Sequence, residues 1–294
     1  MTAGDPNGRK IAFLGGDARI PAAAEYLART HGAECALFGF DREGEYPDIL
    51  TRAVTPEDAV RSACAVVLPL PVSRDGLNIY APFAAKEILL VPVLSLVNED
   101  QVLLGGRIDK RICGVHRRTF DYYEREELKV LNAVPTAEGA IAIAMDTLKI
   151  TLHGARAVVL GFGRVGKALS FRLSSLGAKV CVCARRESDR AFAESEGMQS
   201  VPFAAAGDAL QSADCVFNTV PHPAVEGETL ARIPAGVPFI ELASPPGGID
   251  KGSPAAEGIN VIEAPALPGK CAPVTAGKII GRAAAAILEE EGVL

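Results

Sequence analysis

Apolar positions along this chain fall into short runs separated by stretches with helical spacing. In the first half, strands are predicted at residues 10–17 (KIAFLGGD), 34–40 (ECALFGF) and 65–71 (AVVLPLP), with a helix from about Ile20 to Thr30. Residues 87–96 (EILLVPVLSL) are apolar in a pattern that leaves strand and helix open, and residues 112–115 (ICGV) read as one more strand. The clearest helix of this half covers residues 136–148, where Ile141, Met145 and Leu148 share a face. Thr136 is its expected N-cap, and Pro135 ends the segment before it. The second half restarts the pattern with strands at 157–160, 179–184, 214–220, 238–243 and 260–263 and a helix from about Arg164 to Leu176. A closing helix runs from Ala276 to about Glu290, with Ile279, Ile280, Ala283 and Ile287 as a core stripe. Such alternation builds βαβ units around parallel sheets. The expectation is a two-domain α/β protein: a substrate domain over residues 1–150 that ends in the connecting helix, and a doubly wound dinucleotide-binding domain over 151–294. The last helix is a candidate to pack back on the first domain.

Composition agrees with two globular cores: 294 residues, 49% apolar and 22% charged. The net charge of -6 provides no basic field for nucleic acid. No apolar run approaches the ~20 residues that span a bilayer, and the start MTAGDPNGRK lacks the apolar region of a secretory signal. The seven cysteines form no CxxC pair and the four histidines show no ligand spacing. Reduced, mostly buried thiols in a cytoplasmic protein without a bound metal are therefore expected.

One motif changes the picture. Residues 157–169 read AVVLGFGRVGKAL, a GxGxxG placed between an apolar strand and an amphipathic helix, the context a dinucleotide site needs. Gly161 permits the tight turn, Gly163 lets the backbone approach a pyrophosphate, and Gly166 allows close helix–strand packing. The N–H groups at the helix start, around Arg164 and Val165, then face the anion. An NAD site usually carries an acid about 20 residues after the motif to bond the ribose. Here that strand ends in Ala184, followed by Arg185, Arg186, Glu187 and Ser188. Guanidinium groups suit a 2′-phosphate, so NADP(H) is expected over NAD(H), with Glu187 as the residue that would favour the other outcome.

Ligands of open α/β sheets lie beyond the carboxyl ends of the strands. In the second half those ends carry residues 218–222 (NTVPH), 244–248 (SPPGG) and 266–270 (ALPGK), whose small and Gly/Pro-rich character brings backbone donors close to a ring or carboxylate. Thr219, Pro221, Ser244 and Gly247 are the candidate cofactor contacts there. In the first half the strand ends offer Gly15, Gly16, Asp17 and Arg19, then Ser73, then Thr136 and Glu138. The two glycines lack a third in register, which favours a substrate role for that turn. Arg19 reads equally as a surface helix residue and Thr136 as a helix cap.

Taken together, residues 11–19 (IAFLGGDAR), 134–141 (VPTAEGAI), 153–154 with 158–170 (VLGFGRVGKALS within it), 242–248 (LASPPGG) and 267–280 (LPGKCAPVTAGKII) resemble the dipicolinate synthase A-subunit family, in order and over nearly the whole length. The resemblance implies a flavodoxin-like substrate domain beside a Rossmann domain. It also implies oxidation of dihydrodipicolinate, or of its 4-hydroxy-tetrahydro precursor, to dipicolinate with NADP as hydride acceptor. A flavoprotein-like second subunit, a homo-oligomer and the mother-cell cytoplasm of a sporulating bacterium are further implications. Pro245 departs from the bulkier residue expected there, leaving the shape of that loop open.

Such a reaction needs anchors for a small dicarboxylate and a proton acceptor. Asp17, Arg19, Ser73, Thr136 and Lys270 are the candidate substrate contacts, and His222 and Glu138 the candidate bases; Glu138 reads equally as a first-turn acid favoured by the helix dipole. Two alternatives stay open: another NADP-dependent dehydrogenase of a small carboxylic acid, and a non-catalytic NADP-binding protein that docks a flavoprotein.

Overall fold

The computed structural model describes residues 9–294 apart from 43–45, 110, 111, 113, 115, 250, 251 and 253. Contacts divide the chain into two units, one formed by residues up to Leu131 with Ala272–Leu294, the other by Asn132–Cys271. The boundary falls inside a helix rather than after residue 150, and the closing helix belongs to the first unit.

The first unit is a six-stranded parallel sheet of β1 (Lys10–Leu14), β2 (Glu34–Phe38), β3 (Leu50–Arg52), β4 (Ala65–Val67), β5 (Val102–Gly105) and β6 (Thr119–Asp121), in the order β3-β2-β1-β4-β5-β6. The flavodoxin-like order is present in β2-β1-β4-β5-β6, with β3 added at one edge. Both faces are covered, so β1 reads as a continuous apolar run: Ile11 and Phe13 enter one core, Ala12 and Leu14 the other. The helices are α1 (Arg19–His31) and the short α2 (Pro56–Val60) and α3 (Leu90–Leu94). The open reading of 87–96 thus resolves as one helical turn. Residues 113 and 115 of the expected 112–115 strand lie outside the described residues.

Helix α4 (Glu126–Thr147) begins ten residues before the expected start. Pro135 lies inside it and leaves out the i→i−4 bond its missing N–H cannot make. Thr136 is therefore no cap: its hydroxyl donates to Asn132 O (2.8 Å) one turn back. By length and composition alone the helix could cross a membrane. Its burial explains the composition: Leu128 enters the first unit's core, and Ala137, Ala140, Ile141 and Ala144 enter the second's.

The second unit repeats the topology. Strands β7 (Arg156–Leu160), β8 (Lys179–Cys183), β9 (Gln199–Val201), β10 (Cys215–Asn218), β11 (Pro238–Glu241) and β12 (Asn260–Glu263) form a parallel sheet in the order β12-β11-β10-β7-β8-β9. Ala157 and Val159 face one core, Val158 and Leu160 the other. Helices α5 (Arg164–Ser175), α6 (Glu187–Ser195), α7 (Gly207–Gln211), α8 (Gly227–Leu230) and α9 (Leu267–Cys271) complete it. The final helix, α10 (Pro273–Glu290), packs on α1 in the first unit. The contact is close because Gly277 and Gly281 face it: a Cβ on Gly277 would overlap Arg19 O, and one on Gly281 would lie 2.8 Å from Ala23 O.

Candidate functional site

The strand order of the second unit reverses between β7 and β10, and the loops leaving those two strands meet there. Gly161 follows β7 at φ +96, a left-handed conformation that favours glycine. Its N–H donates to Cys183 O (2.8 Å), and a Cβ on it would collide with Thr219 Oγ1. Thr219 is fixed in turn, its N–H and hydroxyl both donating to Leu160 O (2.9 and 2.8 Å). A Cβ on Gly166 would overlap Gly161 O. Gly163 differs, because a Cβ there would meet nothing within 4 Å. Gly161 and Gly166 are thus required by the fold, while Gly163 faces open space at the N-cap of α5. Arg164, Val165 and Gly166 are the first residues of α5, where N–H groups lack intrahelical acceptors. A dinucleotide pyrophosphate fits this cradle.

Beyond β8, Ala184 is buried and Arg185, Arg186, Glu187 and Ser188 are exposed. Arg186 is the N-cap residue of α6. Arg190, unmarked by the motif, holds this turn by donating to Ala184 O (3.0 Å) and Arg185 O (2.9 Å). Lys167 was equally unmarked. Its Nζ lies 5.4 and 5.3 Å from the ring centroids of Phe162 and Phe192 and 3.6 Å from Asp189, tying α5 to α6.

Sequence reasoning missed the buried acid of this edge. Glu241, at the end of β11 and only 4% exposed, accepts from Asn218 Nδ2 (2.7 Å), Ala243 N–H (2.9 Å) and Gly248 N–H (2.7 Å). Asn218 in turn donates to Val220 O (2.8 Å) and accepts from Val220 N–H (3.1 Å). The pair fixes the loops after β10 and β11, which carry Thr219, Pro221, His222, Ser244 and Gly247. Gly247 sits at φ +84, with its N–H on Ser244 O (3.1 Å). The one available signal was a charged residue inside an otherwise apolar strand, PFIE.

Other candidates are placed differently from their expectation. His222 is exposed on the loop after β10. Glu138 lies mid-helix, not in a first turn, and pairs with Arg172 (3.4 Å). Arg172 is eight residues along α5 from Arg164, roughly 12 Å from its N-terminus. Lys270 is exposed, but on α9 rather than a loop.

In the first unit, Arg19 is not a surface residue but buried. Its guanidinium donates to both Asp17 oxygens (2.8 Å each) and to Leu70 O, bracing the turn after β1 against the one after β4. Burial opposes the charge, while the Asp17 bond and charge prevail and raise the Arg19 pKa. The N–H groups of Gly15 and Gly16 are also spent, on Phe38 O (2.8 Å) and Tyr80 O (2.7 Å), so this turn offers a ligand no free glycine donor. Ser73 caps its own loop, accepting from Gly76 N–H (2.9 Å) and donating to Asp75 (3.0 Å).

Comparison with known proteins agrees with both units. Residues 10–121 match the model of the N-terminal domain of the dipicolinate synthase A-subunit. Residues 135–244 match that of the NAD-binding domain of D-isomer-specific 2-hydroxyacid dehydrogenases. The crystal structure of the dipicolinate synthase A-subunit from Bacillus halodurans superposes with a TM-score of 0.86 at 31% identity, over 96% of this chain and 98% of that one. The chain belongs to the dipicolinate synthase A-subunit family. The Bacillus subtilis A-subunit is 28% identical over 290 residues, 96% of this chain and 97% of its own. A transhydrogenase from Sinorhizobium meliloti shares the fold, with a TM-score of 0.65 at 16% identity over 99% and 92% of the two chains. Like this family, the chain carries a dehydrogenase-type domain for a nicotinamide dinucleotide.

Proposed function

We propose that this protein oxidises a dihydropyridine dicarboxylate, formed from its 4-hydroxy-tetrahydro precursor by loss of water, to dipicolinate with NADP as acceptor. The observation that carries the dinucleotide part is the open space at Gly163 over the start of α5, beside two glycines that the fold itself requires. Membership of the dipicolinate synthase A-subunit family supports the substrate. When bound, the nicotinamide takes the hydride; the dihydro substrate loses that hydride and one proton, and the ring becomes aromatic. The chain's own contribution is to hold the dinucleotide on the N–H groups of α5, orient the ring and accept the proton.

The exposed guanidinium groups of Arg185 and Arg186, with Ala184 where a ribose-binding acid would stand, support NADP over NAD. His222 is the better proton acceptor of the two candidates. Its loop leaves β10 on the edge that carries Gly161, whereas Glu138 is occupied with Arg172. Because the family forms one of the subunits of dipicolinate synthase, a second subunit is the expected partner, in the cytoplasm of a sporulating cell.

The test is NADPH formation at 340 nm by the full chain with freshly generated dihydrodipicolinate, alone and with its second subunit, using NADP and then NAD. Turnover with NADP at least about tenfold more efficient than with NAD is expected. Equal use of both dinucleotides overturns the cofactor assignment, and no turnover in either setting overturns the reaction.

A further inference from the structure

Residues 78–88 are strapped across the carboxyl ends of β1, β2 and β4. Tyr80 N–H donates to Val72 O (2.8 Å), and the N–H groups of Asp41 and Arg42 both donate to Phe83 O (2.9 Å each). Gly15 and Gly39, both at positive φ, let the strap lie close: a Cβ on Gly39 would stand 2.7 Å from Ile88 Cδ1. Between the strap and the loops after β2 and β4 is a cavity of about 410 Å³ whose lining includes Arg42, Arg74, Lys86, Tyr80 and Asn78.

Three cations converge on this space. The Arg74 guanidinium carbon sits 4.0 Å from the Tyr80 ring centroid, so its face is covered and its N–H edge stays available. Arg42 is oriented by donating to Ala85 O (2.9 Å). Asp75 and Glu87 also line the cavity. The Asp75 carboxylate is spent on its own turn. It accepts from Leu77 and Asn78 N–H (2.8 Å each), Asn78 Nδ2 (2.9 Å) and Ser73 Oγ (3.0 Å), and the backbone donors, first of all Asn78 N–H, hold it well below the usual carboxylate range. Asp75 stays ionised, so the lining carries three cations against two carboxylates, Asp75 and Glu87, and one positive charge is left in excess.

Asn78 adds the second requirement. Because its Nδ2 is committed to Asp75, its Oδ1 is fixed as an acceptor, and that atom is buried with no hydrogen-bond partner among the described residues. An orphaned buried acceptor is costly and is relieved by a ligand N–H or O–H.

We propose that this cavity is the substrate's dicarboxylate site: Arg42, Arg74 and Lys86 bind the carboxylates, and Asn78 Oδ1 accepts from a hydroxyl. This rests on the reaction proposed above and names where its substrate binds. The 4-hydroxyl of the tetrahydro precursor offers such a donor; the dihydro ring, whose nitrogen is an imine, and aromatic dipicolinate, with an unprotonated ring nitrogen, do not. The site therefore holds precursor more tightly than product, because product leaves Asn78 unpaired.

The probes are 4-hydroxypyridine-2,6-dicarboxylate, which carries a hydroxyl donor on the same planar ring, and pyridine-2,6-dicarboxylate, which lacks it, titrated calorimetrically into the full chain. Wild type is expected to bind the hydroxylated probe at least about tenfold more tightly. Arg74→Gln and Lys86→Gln are expected to weaken both ligands about tenfold, and Asn78→Ala to abolish the preference. Arg74 and Lys86 are exposed, so their variants keep the wild-type melting temperature. Variants that bind both probes within about twofold of wild type, while wild type turns over dihydrodipicolinate, overturn the site and leave the reaction standing. A wild type that neither turns over nor binds either probe overturns both.

Discussion

Glu241 Oε1 accepts a 2.7 Å hydrogen bond from Asn218 Nδ2, joining the ends of β10 and β11 across a buried edge. With Ala243 and Gly248 N–H also on that carboxylate, the loops carrying Thr219 and Gly247 share one anchor. Glu241→Ala removes the acceptor shared by Asn218 Nδ2, Ala243 N–H and Gly248 N–H and is expected to lower stability by about 3 kcal/mol. Glu241→Gln, which keeps a carbonyl acceptor, is expected to cost about half that. Urea unfolding midpoints check both, and dinucleotide affinity is expected to fall in the same order.

That anchor also marks the limit of what the sequence disclosed. The β7–glycine–α5 turn was legible because strand, motif and helix are contiguous. Glu241 and Asn218 are 23 positions apart in sequence, and the strap cavity draws Arg42 from the loop after β2 and Arg74 and Lys86 from the long connection between β4 and α3. Strands β3, β6 and β9 were missed because three-residue edge strands, LTR, TFD and QSV, carry no readable period, and β5, VLLG, was missed because four apolar residues are too few to tell a strand from a helical turn. The start of α4 was misplaced because Pro135 reads as a stop. Inside a 22-residue helix anchored in two cores, one lost backbone bond is tolerated. Arg19 is left open by the sequence between a ligand contact and a surface residue because an isolated charge carries no sign of burial; its bidentate partner two residues back and Leu70 O make burial possible.

Gly277 is the point of closest approach between α10 and α1. Gly277→Val forces a side chain into Arg19 O and Ala22 Cβ, and neither backbone nor a packed alanine can retreat. A loss of about 3 kcal/mol is expected in the urea midpoint of the first unit. A valine at Lys278, exposed on the same helix, is expected to change stability by less than about 1 kcal/mol.

Burial pushes the Cys35 and Cys215 thiols up to about 12 from an ordinary 9.0. The unfolded chain releases these protons near pH 9 and the folded chain does not. Stability is therefore undiminished by these groups below pH 9 and falls as pH rises from there towards about 12, by up to about 1.4 kcal/mol per thiol per pH unit. Urea midpoints between pH 8 and 11 check the direction. At pH 8 a thiol reagent is expected to label exposed Cys271 rapidly and Cys35, Cys181, Cys183 and Cys215 only on unfolding.

The three motif glycines should separate by experiment. Gly166→Ala drives a methyl into Gly161 O, and Gly161→Ala adds a left-handed φ to a clash with Thr219 Oγ1. Both are expected to lower stability and dinucleotide affinity together. Gly163 has ordinary φ and empty space around its Cα, so Gly163→Ala is expected to fold with unchanged melting temperature. If the pyrophosphate occupies that space, the added methyl lowers NADPH affinity about tenfold or more, readable by fluorescence titration. An unchanged affinity would mean that the phosphates avoid Gly163, and the cradle would then have to be sought elsewhere on this edge.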